Sequence, residues 1–176
     1  METSHSHHHP GDHGRSWHDY LPLLTLLAVA ALVALAVFRS YGPGVSHVRA
    51  MHAFMGFFLV VFAMLKLFDL RGFADGFQMY DLLAKRSRAY ALAYPFLELA
   101  LGLAYLAFLR PDAVYLATVV LMGFGALGVI SALRRGLDVN CACMGTTLKV
   151  PLSTVALVED LAMAAMAAVM WLRLQF

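Results

Sequence analysis

The chain has 176 residues, 61% of them hydrophobic and 14% charged, with a mean hydropathy of +0.73. A soluble domain carries about 25% charged residues, and here the apolar excess falls in long blocks, which excludes a soluble globular enzyme and a disordered chain. Net charge is only +2, too little to point to nucleic acid, and two cysteines cannot form a secreted disulfide scaffold. The composition is that of an integral membrane protein.

Five apolar runs follow in chain order: 20–38, 51–70, 90–109, 113–133 and 152–172. Each approaches the ~20 residues a helix needs to cross a hydrocarbon core of roughly 30 Å. Lipid offers the backbone no hydrogen-bond partner, so the runs are expected to be helices. The expected fold is therefore all-α, a polytopic membrane helix bundle. The first run is too long for the apolar core of a signal peptide and reads as a transmembrane helix behind a polar, His-rich tail at 1–19.

Five spans put the amino terminus, loop 71–89 and loop 134–151 on one side. That side holds Arg15, Arg71, Lys85, Arg86, Arg88, Arg134, Arg135 and Lys149, against Arg39, Arg49, Arg110 and Arg173 on the other. The positive-inside rule then makes the first side cytoplasmic, in the cell's inner (plasma) membrane. Loop 71–89 is long enough for an interfacial helix with Phe73, Phe77, Met79 and Tyr80 towards lipid. Tyr80, Tyr90 and Tyr94 read as an aromatic belt. Pro111 and Pro151 stand at the starts of spans, where a missing N–H is harmless. Pro95, inside the third span and three residues before Glu98, should kink its helix and free a carbonyl.

Few membrane-embedded residues are polar. Lys66, Asp69, Glu98, Glu159 and Asp160 all fall in the half of the bilayer nearer loop 134–151. A charge at the bilayer centre costs about 2.5–3.5 kcal/mol on insertion scales, so such residues face the bundle interior and pair. Lys66 is the natural counter-ion of Glu98; snorkelling to the interface is its alternative. Met163, Met166 and Met170 recur at helical spacing and read as core packing. Gly123, Gly125 and Gly128 suit close helix approach.

Cys141 and Cys143 are the only cysteines, in the stretch Asn140-Cys141-Ala142-Cys143-Met144-Gly145. As a dithiol, the pair can close a small, strained and labile disulfide suited to exchange. As soft ligands, two thiolates and the Met144 thioether match monovalent copper or another thiophilic metal. The tail residues His5, His7, His8, His9 and His13, with His18, form a metal-binding type of tract.

The order of Lys66, Gly72-Phe73-Ala74, Tyr80, Tyr94-Pro95-Phe96-Leu97-Glu98-Leu99, Gly102 and Cys141-Ala142-Cys143-Met144-Gly145 resembles the methylamine-utilisation MauE group of DoxX-like membrane proteins. The resemblance covers about residues 50–174 and implies a four-helix membrane domain over 51–174, with 20–38 an extra amino-terminal transmembrane helix. It further implies redox-associated work with a thioredoxin-like partner, in maturing a disulfide-rich dehydrogenase outside the cytoplasm. Lys66 and Glu98 would be the intramembrane polar pair and Cys141 and Cys143 the functional thiols. Relatives joined to heavy-metal-associated domains also imply metal traffic. The charge bias, in contrast, sets the thiols on the cytoplasmic side.

Three readings follow. In the first, Cys141 and Cys143 act as a thiol–disulfide oxidoreductase pair with Lys66 and Glu98 assisting. The second is a permease for copper, mercury or zinc, in which the histidine tail, Cys141, Cys143 and Met144 bind metal and a metal chaperone is the partner. The third is a non-catalytic assembly factor. Oligomeric state is not encoded in these features.

Overall fold

A computed structural model describes residues 21–42, 46–135 and 152–175. The described residues form six helices: α1 (Leu21–Ser40), α2 (Ser46–Phe68), α3 (Leu70–Tyr80), α4 (Arg88–Leu106), α5 (Pro111–Arg134) and α6 (Leu152–Gln175). Among them, α1, α2, α4 and α5 are long and apolar enough to cross a membrane. The fifth expected span, α6, is equally long and packs along α5, but it carries Glu159, Asp160 and Arg173. No strand occurs among the described residues, as expected where lipid surrounds the chain.

The ends of these helices depart from the apolar runs for local reasons. α2 starts at Ser46 rather than 51, taking in His47 and Arg49, and it carries a fully buried His52. The His52 Nδ1–H donates to the Tyr105 carbonyl at 3.0 Å, and Nε2 accepts from the Tyr115 hydroxyl, so one imidazole ties α2 to α4 and α5. Its polar atoms are satisfied inside the bundle, which is why it does not end the span. Helix α4 begins one residue after Ser87, whose hydroxyl accepts from the Tyr90 N–H at 3.2 Å as an N-cap. It runs on through Pro95 and stops at Leu106, because Phe108 and Arg110 take left-handed backbone angles (φ 53° and 41°). Pro111 then opens α5 at its first turn, as expected.

α2 and α4 are antiparallel and cross at two glycines. A Cβ added at Gly102 would stand 2.9 Å from the Val60 nitrogen and 3.0 Å from the Gly56 carbonyl oxygen. Only glycine allows that approach. α1 packs chiefly against α2, and Ala30 is the only buried residue among its described side chains.

The buried side chains form two groups along the bundle. One gathers Met55, Phe58, Leu59, Phe62, Tyr105, Tyr115, Met122, Met163 and Met170 around α2, α5 and α6. The methionine stripe of α6 thus does pack in the core. The other gathers Phe73, Phe77, Tyr80, Tyr94 and Val129 where α3 lies over α4 and α5. α3 is capped at its start by the Asp69 carboxylate, which accepts from the Gly72 N–H at 2.9 Å.

The glycine crossing yields a direct prediction. Gly102→Ala should destabilise the protein by about 1–3 kcal/mol, because backbone rather than a flexible side chain must give way. Gly123→Ala, where a Cβ meets nothing within 4 Å, should hold or slightly raise stability. Thermal unfolding of the two variants in detergent compares them.

Candidate functional site

Side chains on a helix tilt towards its own amino terminus. Lys66, near the end of α2, therefore reaches back into the bundle, while Glu98 on antiparallel α4 reaches out to meet it. The Lys66 Nζ donates to both carboxylate oxygens of Glu98, at 2.6 Å to Oε1 and 2.5 Å to Oε2. Both side chains are buried, at 5% and 1% exposure. Lys66 pairs rather than snorkels.

Three ring faces enclose the ammonium: Phe62 and Tyr94 with centroids at 5.6 Å and Phe73 at 5.9 Å. Each adds a weak cation–π attraction, and together they bridge the two apolar groups of the core. α3 supplies part of this wall. Its Phe73, Phe77 and Tyr80 are spaced one helical face apart and are 1–4% exposed. The expectation that they turn towards lipid is corrected: only Met79 is exposed, because the aromatic face is spent on covering a charge. The aromatic-belt reading fails likewise for Tyr80 and Tyr94, which are buried, while Tyr90 is half-buried.

Glu159 and Asp160 complete the site from α6. With Lys66, Tyr80, Tyr94 and Gly125 among its other lining residues, they border a cavity of about 20 Å³, room for about one water. Asp160 sits where a Gly125 side chain would be, since a Cβ there would lie 2.7 Å from its Oδ2. A Cβ at Gly128 would likewise approach the Asp81 Cα at 3.1 Å. Of the three glycines of α5, Gly125 thus admits an acid side chain, Gly128 admits the backbone at the end of α3, and Gly123 faces nothing within 4 Å.

Asp81 follows α3 and is buried. Its Oδ1 accepts from the Leu83 N–H at 2.9 Å and the Ala84 N–H at 2.7 Å. Burial pushes its carboxyl above the usual carboxylate range, and the N–H bonds and Lys85 only partly offset this. The Tyr80 hydroxyl is held well above the usual phenol range, first by burial and then by the nearby charges of Asp160, Asp81 and Glu159.

The structure thus brings Lys66, Glu98, Glu159 and Asp160 together. It leaves Asp69 outside, as the cap of α3. The walls formed by Phe73, Tyr80 and Tyr94, and the buried Asp81, were not anticipated; the spacing of Phe73, Phe77 and Tyr80 was the available signal. Cys141, Cys143, Met144, His5, His7, His8, His9 and His13 lie outside the described residues. Among the described residues no three His, Cys, Asp or Glu side chains converge on a metal position.

A helical bundle with an ion pair and two further acids enclosed among its spans defines a multi-pass membrane protein. The chain belongs to the MauE family: the family model described as methylamine utilisation protein MauE matches residues 44–173. α1 precedes that match. No curated protein and no solved structure matches the chain.

Two predictions test the energetics of the site. Lys66→Met or Glu98→Gln alone should cost about 3–5 kcal/mol, because each strands a buried partner, whereas the double variant K66M/E98L should recover most of the loss. Unfolding of the three variants in detergent measures this. Asp81 ionises less readily folded than unfolded, so its ionisation lowers stability as pH rises from the ordinary carboxylate range through its raised value. Asp81→Asn should remove that loss, and its melting-temperature advantage over wild type should grow with pH across that window.

Proposed function

We propose that this protein is a membrane-embedded thiol–disulfide exchange factor whose Cys141 and Cys143 react with a partner protein, with the buried site handling the accompanying proton. The observation that carries the reading is topological. α5 ends and α6 begins at the end of the bundle nearer the Lys66–Glu98 site, and the cysteines lie in the segment joining those two helices. Asp160 is about eight residues, or ~12 Å of helix, from the start of α6.

The exchange balances as follows. One thiol gives up its proton, and its thiolate attacks a partner disulfide, forming a mixed disulfide and releasing a partner thiolate. The second cysteine, deprotonated in turn, attacks the mixed disulfide and expels the remaining partner sulfur. The partner is reduced by two electrons, the cysteine pair is oxidised, and the two thiol protons pass to the partner's sulfurs. Lys66, Glu98 and their neighbouring acids hold a proton during that transfer. Run backwards, the same steps oxidise the partner.

A family linked to methylamine utilisation supports a client of that kind, an enzyme subunit matured through a thioredoxin-like intermediary. The excess of basic residues on loops 71–89 and 134–151 supports a cytoplasmic position for this end in the inner membrane. The 51–174 bundle is the working domain, α6 is its last span, and α1 is an addition.

Acid quenching and alkylation of cells, followed by non-reducing separation, test the reading. Cys141→Ser or Cys143→Ser alone should trap a mixed disulfide with a partner, and the double variant should trap none. K66M/E98L should slow exchange by about 10²-fold, the lower range for loss of general acid–base help. Activity that survives the double cysteine variant while changes on α3 abolish it would identify an assembly factor. Stoichiometric copper, zinc or mercury, lost with Cys141→Ser or with the histidine tail, would identify metal handling.

A further inference from the structure

The far end of the bundle, where α1 ends and α2 and α5 begin, holds a second site of different chemistry. Arg49 lies over two rings, with its guanidinium carbon 4.5 Å from the Tyr41 centroid and 4.9 Å from that of Phe108. Ring faces attract the cation but supply no oxygen acceptor for its N–H groups. The Arg49 Nε is buried without an acceptor, and among the described residues no carboxylate lies within ion-pair distance of Arg49. Beside it is a cavity of about 170 Å³ lined by Val37, Tyr41, Arg49, Ala53, Leu106 and Phe108, far above the ~10–15 Å³ that one water needs.

The clamp is rigidly built. Phe108 stacks on His52 at 4.1 Å with rings 5° from parallel, and His52 is itself held by Tyr105 and Tyr115. Holding Phe108 there requires φ 53°, an uncommon angle for an aromatic residue. The chain thus adopts a strained turn to keep a ring over an unpaired arginine, the type of feature that marks ligand clamps. The surrounding charge has one sign in excess: Arg39, Arg49, Arg110 and Arg173 belong to this end, with Asp112 the one acid there among the described residues.

We propose that this cavity binds a phosphate-bearing anion, supplied by the headgroup of an anionic membrane lipid. A guanidinium edge matches two phosphate oxygens in a bidentate pair, and an oxyanion satisfies the buried Nε. Val37, Ala53 and Leu106 give the cavity an apolar floor at the level where helices leave the bilayer, which suits the glycerol end of a lipid better than a hydrated free ion.

The test uses the full-length protein in detergent, with native mass spectrometry counting retained dioleoylphosphatidylglycerol against dioleoylphosphatidylcholine. One phosphatidylglycerol should be retained with a preference of about tenfold, and Arg49→Gln should abolish it while Arg135→Gln, at the other end, should not. Ala53→Leu fills the cavity with Arg49 intact and should also remove the preference, so the result does not depend on one variant's folding. In lipid-free detergent, sn-glycerol 3-phosphate raising the melting temperature of wild type but not of R49Q would assign the same site to a soluble phosphate ester. Equal retention of the two lipids with no effect of the phosphate ester, or a preference unchanged in both R49Q and A53L, would overturn the proposal.

Discussion

Everything at the centre of this bundle follows from one ammonium–carboxylate pair taken out of water. Lys66 and Glu98 are bound at both oxygens, and desolvating two charges is repaid only if water stays out and the geometry is good. The surrounding structure meets both conditions. The Gly56–Gly102 crossing brings α2 and α4 to backbone contact, and Glu98 lies one turn from Gly102 on the same side of α4. From that crossing Lys66 is ten residues along, about 15 Å, and Glu98 four, about 6 Å. The opposed tilts of the two side chains close the difference. α3 then covers the pair with a face of aromatic rings that a lone surface helix would have turned to lipid.

The spans and their type were legible in the sequence because lipid leaves the backbone one economical choice, and 20-residue apolar runs are hard to misread. The Lys66–Glu98 pair was legible for a related reason: two opposite charges at similar depth on successive spans have little else to do. What could not be read were contacts set by the third dimension. Nothing in the order of residues tells that Gly125 faces Asp160, or that α3 presents Phe73, Phe77 and Tyr80 inward. The start of α2 was misjudged because Ser46, His47 and Arg49 look like flanking polar residues. In the fold, His52 finds a carbonyl and a phenol, and Arg49 finds two rings.

The two ends of the molecule are chemically unlike. One gathers carboxyls around a single lysine, walled by α3 and leading to the segment that carries both cysteines. The other gathers arginines around an aromatic clamp, where the His52 ring nitrogens are satisfied by Tyr105 and Tyr115 while the Arg49 Nε has no acceptor. Since α2 runs between them, with His52 and Lys66 at opposite ends of one buried face, the same helix fixes the geometry of both.

The acid count separates the inner site from a structural staple. A staple between α2 and α4 requires two charges, and Lys66 with Glu98 supply them. Glu159 and Asp160 add two carboxyls with no second cation among the described residues that line the cavity, and α5 gives up a side chain at Gly125 to admit one of them. In a region of low dielectric, three carboxylates against one ammonium would be severely repulsive. The surplus acids border a cavity with room for about one water. A sequence selected for stability alone would fill positions 159 and 160 with leucine or methionine, as it does at Met163 and Met170 about one and three turns on. Under the proposed thiol exchange, the extra acids supply the groups that would hold the transferred proton.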